Sequence, residues 1–214
     1  MPTLYGVYRS RASRPLWLLF ECGADFDHVP VVQAYRLPGA AMPGVTLATN
    51  SPDFLTVNPQ GQIPALTDGD LVLTESLGIV LYLARAYGGA LGPANDAETA
   101  LMEQWALWAA TAVETPALEV MMAPQGEMGE ATLAVSAEKL RRPLARLEKH
   151  LTGQDHMLPR GFTAADIVVA ECLRYAQGHP TLLSEFPQAK AWLERCQARP
   201  AFQKMWAGRM AEPA

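Results

Sequence analysis

Along the first part of the chain, the period of apolar and polar positions switches repeatedly between that of a strand and that of a helix. Thr3 to Val7 alternates as a strand does, and Pro15 to Cys22 is the dense apolar run of a helix, with Pro15 tolerable in its first turn and Gly23 placed to end it. His28 to Val32 reads as a second strand. Residues 33 to 57, rich in Pro, Gly, Ala, Ser and Asn, have little periodicity and predict a long loop with at most a short helix. Asn58-Pro59-Gln60-Gly61 is a turn cluster, and the apolar runs Ile63 to Leu66 and Leu71 to Leu73 flank a second turn at Asp68-Gly69-Asp70, which predicts a hairpin. A helix follows from Glu75 to Tyr87, with Leu77, Val80, Leu81 and Ala84 on one face and Gly88-Gly89 as its stop. The order β-α-β, loop, β-β-α suits an α/β domain with a four-stranded mixed sheet.

Beyond Asp96 the strand signal fades. Leu101, Met102, Trp105, Trp108, Ala109 and Ala112 form a helical stripe over Glu98 to Val113, which Pro116 is expected to kink or break. Leu133, Leu140, Leu144, Leu147 and Leu151 mark another amphipathic helix, with an interruption expected at Pro143. Thr163-Ala-Ala-Asp166 has the form of a capping box ahead of the apolar run Ile167-Val-Val-Ala, so that helix is expected to be buried. Pro187 to Cys196 and Ala201 to Trp206 add two more helices. Gly88 to Asp96 has linker composition, which divides the chain into residues 1–87, a linker at 88–96 and an all-helical half at 97–214.

Composition narrows the function class. A 214-residue chain with half its residues apolar has ample material for buried cores, and a net charge of −5 lacks the basic stripe that nucleic acid or an anionic membrane requires. No uncharged apolar run reaches the length of a membrane span, and the first residues lead into a strand without a basic, apolar leader, so a cytoplasmic protein is expected. Cys22, Cys172 and Cys196 are odd in number, widely spaced and set among apolar neighbours, which suits small buried hydrophobes rather than a disulfide framework. His28, His150, His156 and His179 are scattered without metal spacing, so no metal is implied.

Residues 58 to 76 are the most specific stretch. Pro64 at the mouth of the first hairpin strand favours an edge position or a cis peptide and leaves the Ile63 backbone free to pair with an extended peptide. Glu75 and Ser76, at a helix start, stand where an amine and a carboxylate could be received. As a unit, Asn58-Pro-Gln-Gly-Gln-Ile-Pro-Ala-Leu followed by Glu75-Ser76 resembles the glutathione-binding region of the cytosolic glutathione transferase family, in particular its bacterial, serine-type members. Phe162-Thr-Ala-Ala-Asp166 and Phe186-Pro-x4-Trp192-x2-Arg195-x3-Arg199-Pro200-Ala-Phe202 resemble the family's buried capping motif and C-terminal helical signature, which extends the likeness over nearly the whole chain.

The resemblance implies a thioredoxin-like N-terminal domain, an all-helical C-terminal domain, glutathione as co-substrate, a small apolar electrophile as second substrate, a detoxifying role and a homodimer. It places glutathione on Gln62, Ile63, Pro64, Glu75 and Ser76, with Gln62 a departure from the basic residue usual at that position. Glutathione reacts as its thiolate, and lowering a thiol pKa by two units requires only about 2.7 kcal/mol, within reach of one hydroxyl and a local positive field. Ser10 aligns with the serine-type donor through the Arg14-Pro-Leu-Trp17 helix start, whereas Tyr5 matches the tyrosine-type donor, and Arg11 is a further alternative. Ser13 suits an N-cap. The resemblance also implies an acceptor pocket between the domains, lined by Tyr8, Tyr35, Trp105, Trp108, Thr111, Ala112 and Met121, although a Trp and Met stripe at helical spacing is more often a core or a subunit interface. The apolar Leu101, Met102 and Trp105 surface is the sequence's own support for dimerisation. Two other outcomes share the same residues: a glutathione-transferase-like binding or regulatory protein with little turnover, and a glutathione-dependent isomerase or peroxidase.

Overall fold

The computed structural model describes residues 1–36, 45 and 47–213. Their packing forms two units, one of Met1–Gly92 with Pro200–Ala214 and the other of Pro93–Arg199. The linker at 88–96 falls at the junction in sequence, but the stretch from Pro200 onward, grouped by sequence with the helical half, packs with the first unit instead. Helix α1 (Ser13–Cys22) and helix α9 (Pro200–Ala211) are in contact, and the Trp17 and Phe202 rings meet edge to face at 4.9 Å, because α1 is apolar on more than its sheet-facing side.

The first unit is built on a mixed sheet in the order β2-β1-β5-β6, formed by β1 (Thr3–Tyr5), β2 (Asp27–Val29), β5 (Ala65–Asp68) and β6 (Leu71–Leu73). β1 runs parallel to β2, with Tyr5 opposite Val29, and antiparallel to β5, with Tyr5 opposite Ala65. The single strand expected at 28–32 is divided at Pro30, which has no N–H for a ladder. Beyond it β3 (Val31–Val32) turns to a separate parallel partner, β4 (Leu47–Ala48). The expected loop of 33–57 thus contains β4 and helix α2 (Pro52–Val57), while 37–44 and 46 lie outside the described residues. Phe54 of α2 packs with Val31 and Ala65 into an apolar cluster that Tyr5 and Ile63 join.

Helix α3 (Ser76–Tyr87) is anchored at its far end to the hairpin turn. Tyr82 Oη donates to the Asp68 carboxylate at 2.8 Å, and Tyr87 Oη donates to the same oxygen. The two hydroxyls hold the Asp68 carboxyl below the usual range, and donating to the carboxylate raises Tyr82 and pushes Tyr87 up to about 12.

The second unit is helical among its described residues: α4 (Asp96–Trp108), α5 (Thr115–Met121), α6 (Glu127–Gly153), α7 (Ala164–Leu173) and α8 (Pro187–Gln197). Pro116 does not break the first run. A π-helical stretch, Ala109–Glu114, widens the turn ahead of it, and Pro116 then sits in the first turn of α5, where its missing N–H costs no helical bond. Pro143 likewise leaves α6 continuous. A proline in a helix interior costs about 3 kcal/mol, but burying leucines is worth roughly 1.5 to 3 kcal/mol each, and Leu140, Leu144, Leu147 and Leu151 are all buried along α6. The capping box forms as read. Thr163 N–H donates to Asp166 Oδ2 at 3.0 Å, while Asp166 Oδ1 accepts from Met157 N–H at 3.1 Å and from Trp192 Nε1–H at 3.0 Å. One fully buried carboxylate therefore joins the loop before α7, its first turn and α8.

The Asp68 cluster has a pH signature. Tyrosine hydroxyls whose folded pKa is raised stabilise the fold fully below their unfolded value of about 10, and that stability is lost as pH climbs towards 12. The carboxylate's share is present above its ordinary value and lost as pH falls below it. Asp68→Asn should bring Tyr87 ionisation back towards 10 in an alkaline titration of tyrosinate absorbance, and a titration unchanged by the substitution would refute the pairing.

Candidate functional site

Strand β1 ends at Tyr5, and the chain turns at Gly6, whose φ of +143° is open only to glycine and whose N–H donates to Val29 O at 3.0 Å. His28 Nε2–H donates to Gly6 O at 2.7 Å, and the Tyr8 ring stands edge to face on the His28 imidazole at 5.4 Å. These contacts fasten the start of a turn that carries the candidate donor. Ser10 is half-buried; its hydroxyl donates to Val7 O at 2.6 Å and accepts the Ala12 N–H at 3.0 Å. The N-cap expected at Ser13 falls instead on Ala12, which has no side chain to cap with, and the Ser10 hydroxyl closes the turn just before it. The turn is tight, with Ser13 N–H on Ser10 O and Arg14 N–H on Arg11 O, so the hydroxyl that reaches a free amide comes from Ser10, while Ser13 lies buried inside α1.

The alternatives occupy different surroundings. Tyr5 is half-buried with its ring 6.2 Å from Phe54, inside the apolar cluster. Arg11 is exposed on the turn.

Buried Asn58 shapes the turn before Ile63. Its Nδ2 donates to Gln62 O at 2.7 Å and its Oδ1 accepts the Gln60 N–H at 3.1 Å, closing the turn that leads to Ile63. Gly61 completes that turn at φ +61°, where a Cβ would come within 2.8 Å of Thr49 O. The Ile63–Pro64 peptide is cis, Pro64 is buried and Gln62 is exposed. Among the described residues the Ile63 backbone makes no hydrogen bond, which leaves it open to an added strand.

Glu75 and Ser76 open α3. Glu75 is exposed with extended backbone at the N-cap, its C=O accepts Ile79 N–H at 2.8 Å, and its carboxylate has no partner among the described residues. Ser76 is buried, and its hydroxyl oxygen accepts Arg14 Nη1–H at 2.9 Å. The guanidinium of Arg14, itself 1% exposed, thus lies at the N-terminus of α3 and adds a full charge to the partial positive charge of the helix end. From sequence, Arg14 is one of three arginines around the start of α1 that supply a local positive field, and its link to Ser76 is not visible there. Sequence reasoning also gave Asn58 only a turn role.

The seven residues expected around an acceptor are divided between the two units. In the first, Tyr8 is half-buried, with its phenol pushed up by burial and then by the charge of Glu212, and Tyr35 is 81% exposed. In the second, Trp105 is core: it is 4% exposed, meets Trp108 at 5.2 Å and His150 at 4.8 Å, and lies under the Arg146 guanidinium. It offers no surface to a ligand, because three neighbours already cover its ring. Trp108 and Ala112 are half-buried, and Thr111 and Met121 are exposed. Among the described residues no three His, Cys, Asp or Glu side chains converge as metal ligands.

Residues 8–86 match the glutathione S-transferase N-terminal domain, and residues 110–200 match the glutathione S-transferase C-terminal domain. Glutathione S-transferase 3 of Zea mays is 36% identical over 94% of this chain and 91% of its own length. The chain belongs to the glutathione S-transferase family. Among solved structures, the theta class glutathione S-transferase of Xanthomonas axonopodis pv. citri with glutathione bound superposes with a TM-score of 0.75 at 29% identity, covering 95% of each chain. Glutathione transferase F7 of Populus trichocarpa superposes with a TM-score of 0.80 at 27% identity, covering 97% of this chain and 99% of that one. The thioredoxin-like domain followed by a helical domain is thus the glutathione S-transferase architecture, and the chain is a transferase of the glutathione-conjugating family.

In this glutathione S-transferase the turn held by Asn58 sets the register of Ile63. Asn58→Ala removes both side-chain bonds and leaves the Gln62 carbonyl and Gln60 amide unsatisfied, at a cost of about 1 to 3 kcal/mol in urea unfolding. Glutathione affinity should fall with it by about tenfold in calorimetric titration, and an unchanged Kd would show that the turn does not present the ligand edge.

Proposed function

We propose that the chain conjugates glutathione to small apolar electrophiles as a serine-type cytoplasmic enzyme, with Ser10 stabilising the thiolate. The observation that carries this reading is the Ser10 hydroxyl, half-buried in the turn at the start of α1 and donating only to a neutral carbonyl. A sulfur anion is the stronger acceptor, since charge-assisted hydrogen bonds are roughly twice as strong as neutral ones. The hydroxyl can turn from Val7 O to sulfur while its oxygen keeps the Ala12 amide. The sulfur lone pair then forms the C–S bond, and the acceptor's leaving group departs with the bonding pair.

Glutathione is accommodated by charge. Glu75 receives the γ-glutamyl ammonium, Ser76 and the first amides of α3 receive the adjacent carboxylate near Arg14, and the Ile63 backbone beside Pro64 pairs with the cysteinyl unit. Gln62 leaves the glycyl carboxylate a neutral neighbour. Tyr8 and Tyr35 in the first unit, and Trp108, Thr111, Ala112 and Met121 in the second, each keep half-buried or exposed surface within their own unit. A second reading, glutathione binding with little turnover, is favoured by that neutral Gln62 and by the engagement of the Ser10 proton with Val7 O.

Glu75→Ala should weaken glutathione binding by about 1.5 to 3 kcal/mol in calorimetry. Ser10→Ala should lower turnover while leaving glutathione affinity nearly intact, and Tyr5→Phe should do neither. Ultraviolet thiolate absorbance of the complex across pH decides the assignment: a titration displaced only in Tyr5→Phe moves the role to Tyr5, and the absence of thiolate at neutral pH in the wild type supports the binding protein. Turnover with halogenated aromatics, epoxides, maleyl compounds and hydroperoxides separates transferase from isomerase and peroxidase.

The protein is also proposed to be a homodimer. Of the apolar surface expected on α4, Met102 is 1% exposed and belongs with Trp105 to the core, so Leu101 and Leu107, 40% and 67% exposed, are what the helix offers a partner. Sedimentation at micromolar concentration should give a species of twice the 23.2 kDa chain mass; a single monomer peak would refute the dimer.

A further inference from the structure

Two successive peptide units ahead of Ser10 are each held at both ends, and residues far along the chain provide most of the grip. The carbonyl of the Val7–Tyr8 unit accepts the Ser10 hydroxyl at 2.6 Å, and its N–H donates to Glu212 Oε1 at 2.7 Å. In the next unit the Arg9 N–H donates to Glu212 Oε2 at 2.7 Å, and the Tyr8 carbonyl accepts Arg209 Nη1–H at 3.0 Å. The segment carrying Glu212 is fastened in turn: Arg9 Nε–H donates to the Glu212 carbonyl at 2.9 Å, and Arg36 Nη2–H donates to the Pro213 carbonyl at 2.6 Å. Helix α9 approaches so closely that a Cβ at Gly208 would lie 2.7 Å from the Tyr8 ring.

A carboxylate taking two adjacent amides, one on each oxygen, is a charge-assisted, bidentate contact, which fixes orientation as well as position. We propose that Glu212 is a positioning residue for the thiolate donor, its carboxylate bridging the Tyr8 and Arg9 amides so that the turn holds the Ser10 oxygen in one place, from which its proton can turn from Val7 O to sulfur. The inference rests on Ser10 being the donor.

The test combines steady-state kinetics on a halogenated aromatic, calorimetry of glutathione binding and thiolate absorbance for Glu212→Ala, Glu212→Gln, Ser10→Ala and the Ser10→Ala/Glu212→Ala double variant. Glu212→Ala should lower kcat by about tenfold with the glutathione Kd within about twofold of wild type, and raise the thiol pKa of the complex by about one unit. Glu212→Gln keeps the shape and one acceptor oxygen and should recover part of the loss; it also serves as the folded variant if Glu212→Ala does not fold. Because the effect passes through Ser10, the double variant should be no slower than Ser10→Ala. A kcat for the folded Glu212 variants within about twofold of wild type, or losses that multiply in the double variant, overturns the proposal. Full turnover by Ser10→Ala removes the donor reading and the positioning role together, whereas a slow Ser10→Ala beside an active Glu212→Ala removes only the latter.

Discussion

A guanidinium taken out of water must be met by polar partners, because an isolated buried charge costs far more than any single packing contact returns. Arg14 is 1% exposed on a helix that is otherwise apolar, and its bond to Ser76 ties the first turn of α1 to the first turn of α3. Much else follows from that tie. It brings the turn bearing Ser10 and the helix start bearing Glu75 into one fixed relation, it concentrates positive potential where two helices begin, and it leaves the Ser76 proton available to a ligand oxygen. The hairpin between them is held at its other end by the two tyrosine hydroxyls on Asp68, so the edge at Ile63 lies between two polar anchors.

The family and the fold were legible because their signals are local. The period-two rhythm of Thr3 to Val7, the turn at Asp68-Gly69-Asp70 and the capping box at Thr163 each declare themselves within a few residues, and the structure places strand, hairpin turn and cap there. What was misjudged depends on partners distant in sequence. Pro116 and Pro143 carry the chemistry of helix breakers, but a π turn makes room for one and a buried leucine face outweighs the other. Trp105 and Met102 follow a stripe that a pocket, an interface or a core would share, and only their neighbours decide for the core.

The candidate site was legible in unequal parts. Ile63, Pro64, Glu75 and Ser76 belong to one continuous segment whose spacing encodes a strand edge and a helix start, so their grouping needed no tertiary knowledge. The link from Arg14 to Ser76 and that from Glu212 to the Tyr8 amide run across 62 and 204 positions respectively, distances over which periodicity carries no information. Ser10 and Tyr5 also differ in surroundings that the sequence does not display. Side chains five positions apart in one stretch end in a polar turn and an apolar cluster, and sequence alone does not say which.

The first unit is assembled from residues at opposite ends of the numbering, Met1–Gly92 and Pro200–Ala214. During synthesis its sheet and α1 emerge well before α9, with the helical unit made in between. Until α9 arrives, Trp17 lacks the Phe202 ring that packs against it at 4.9 Å, and the nascent chain carries an apolar stripe waiting for its cover. The half of the protein that is translated first is therefore completed last, and the helical unit has the opportunity to fold while its neighbour in the chain is still open.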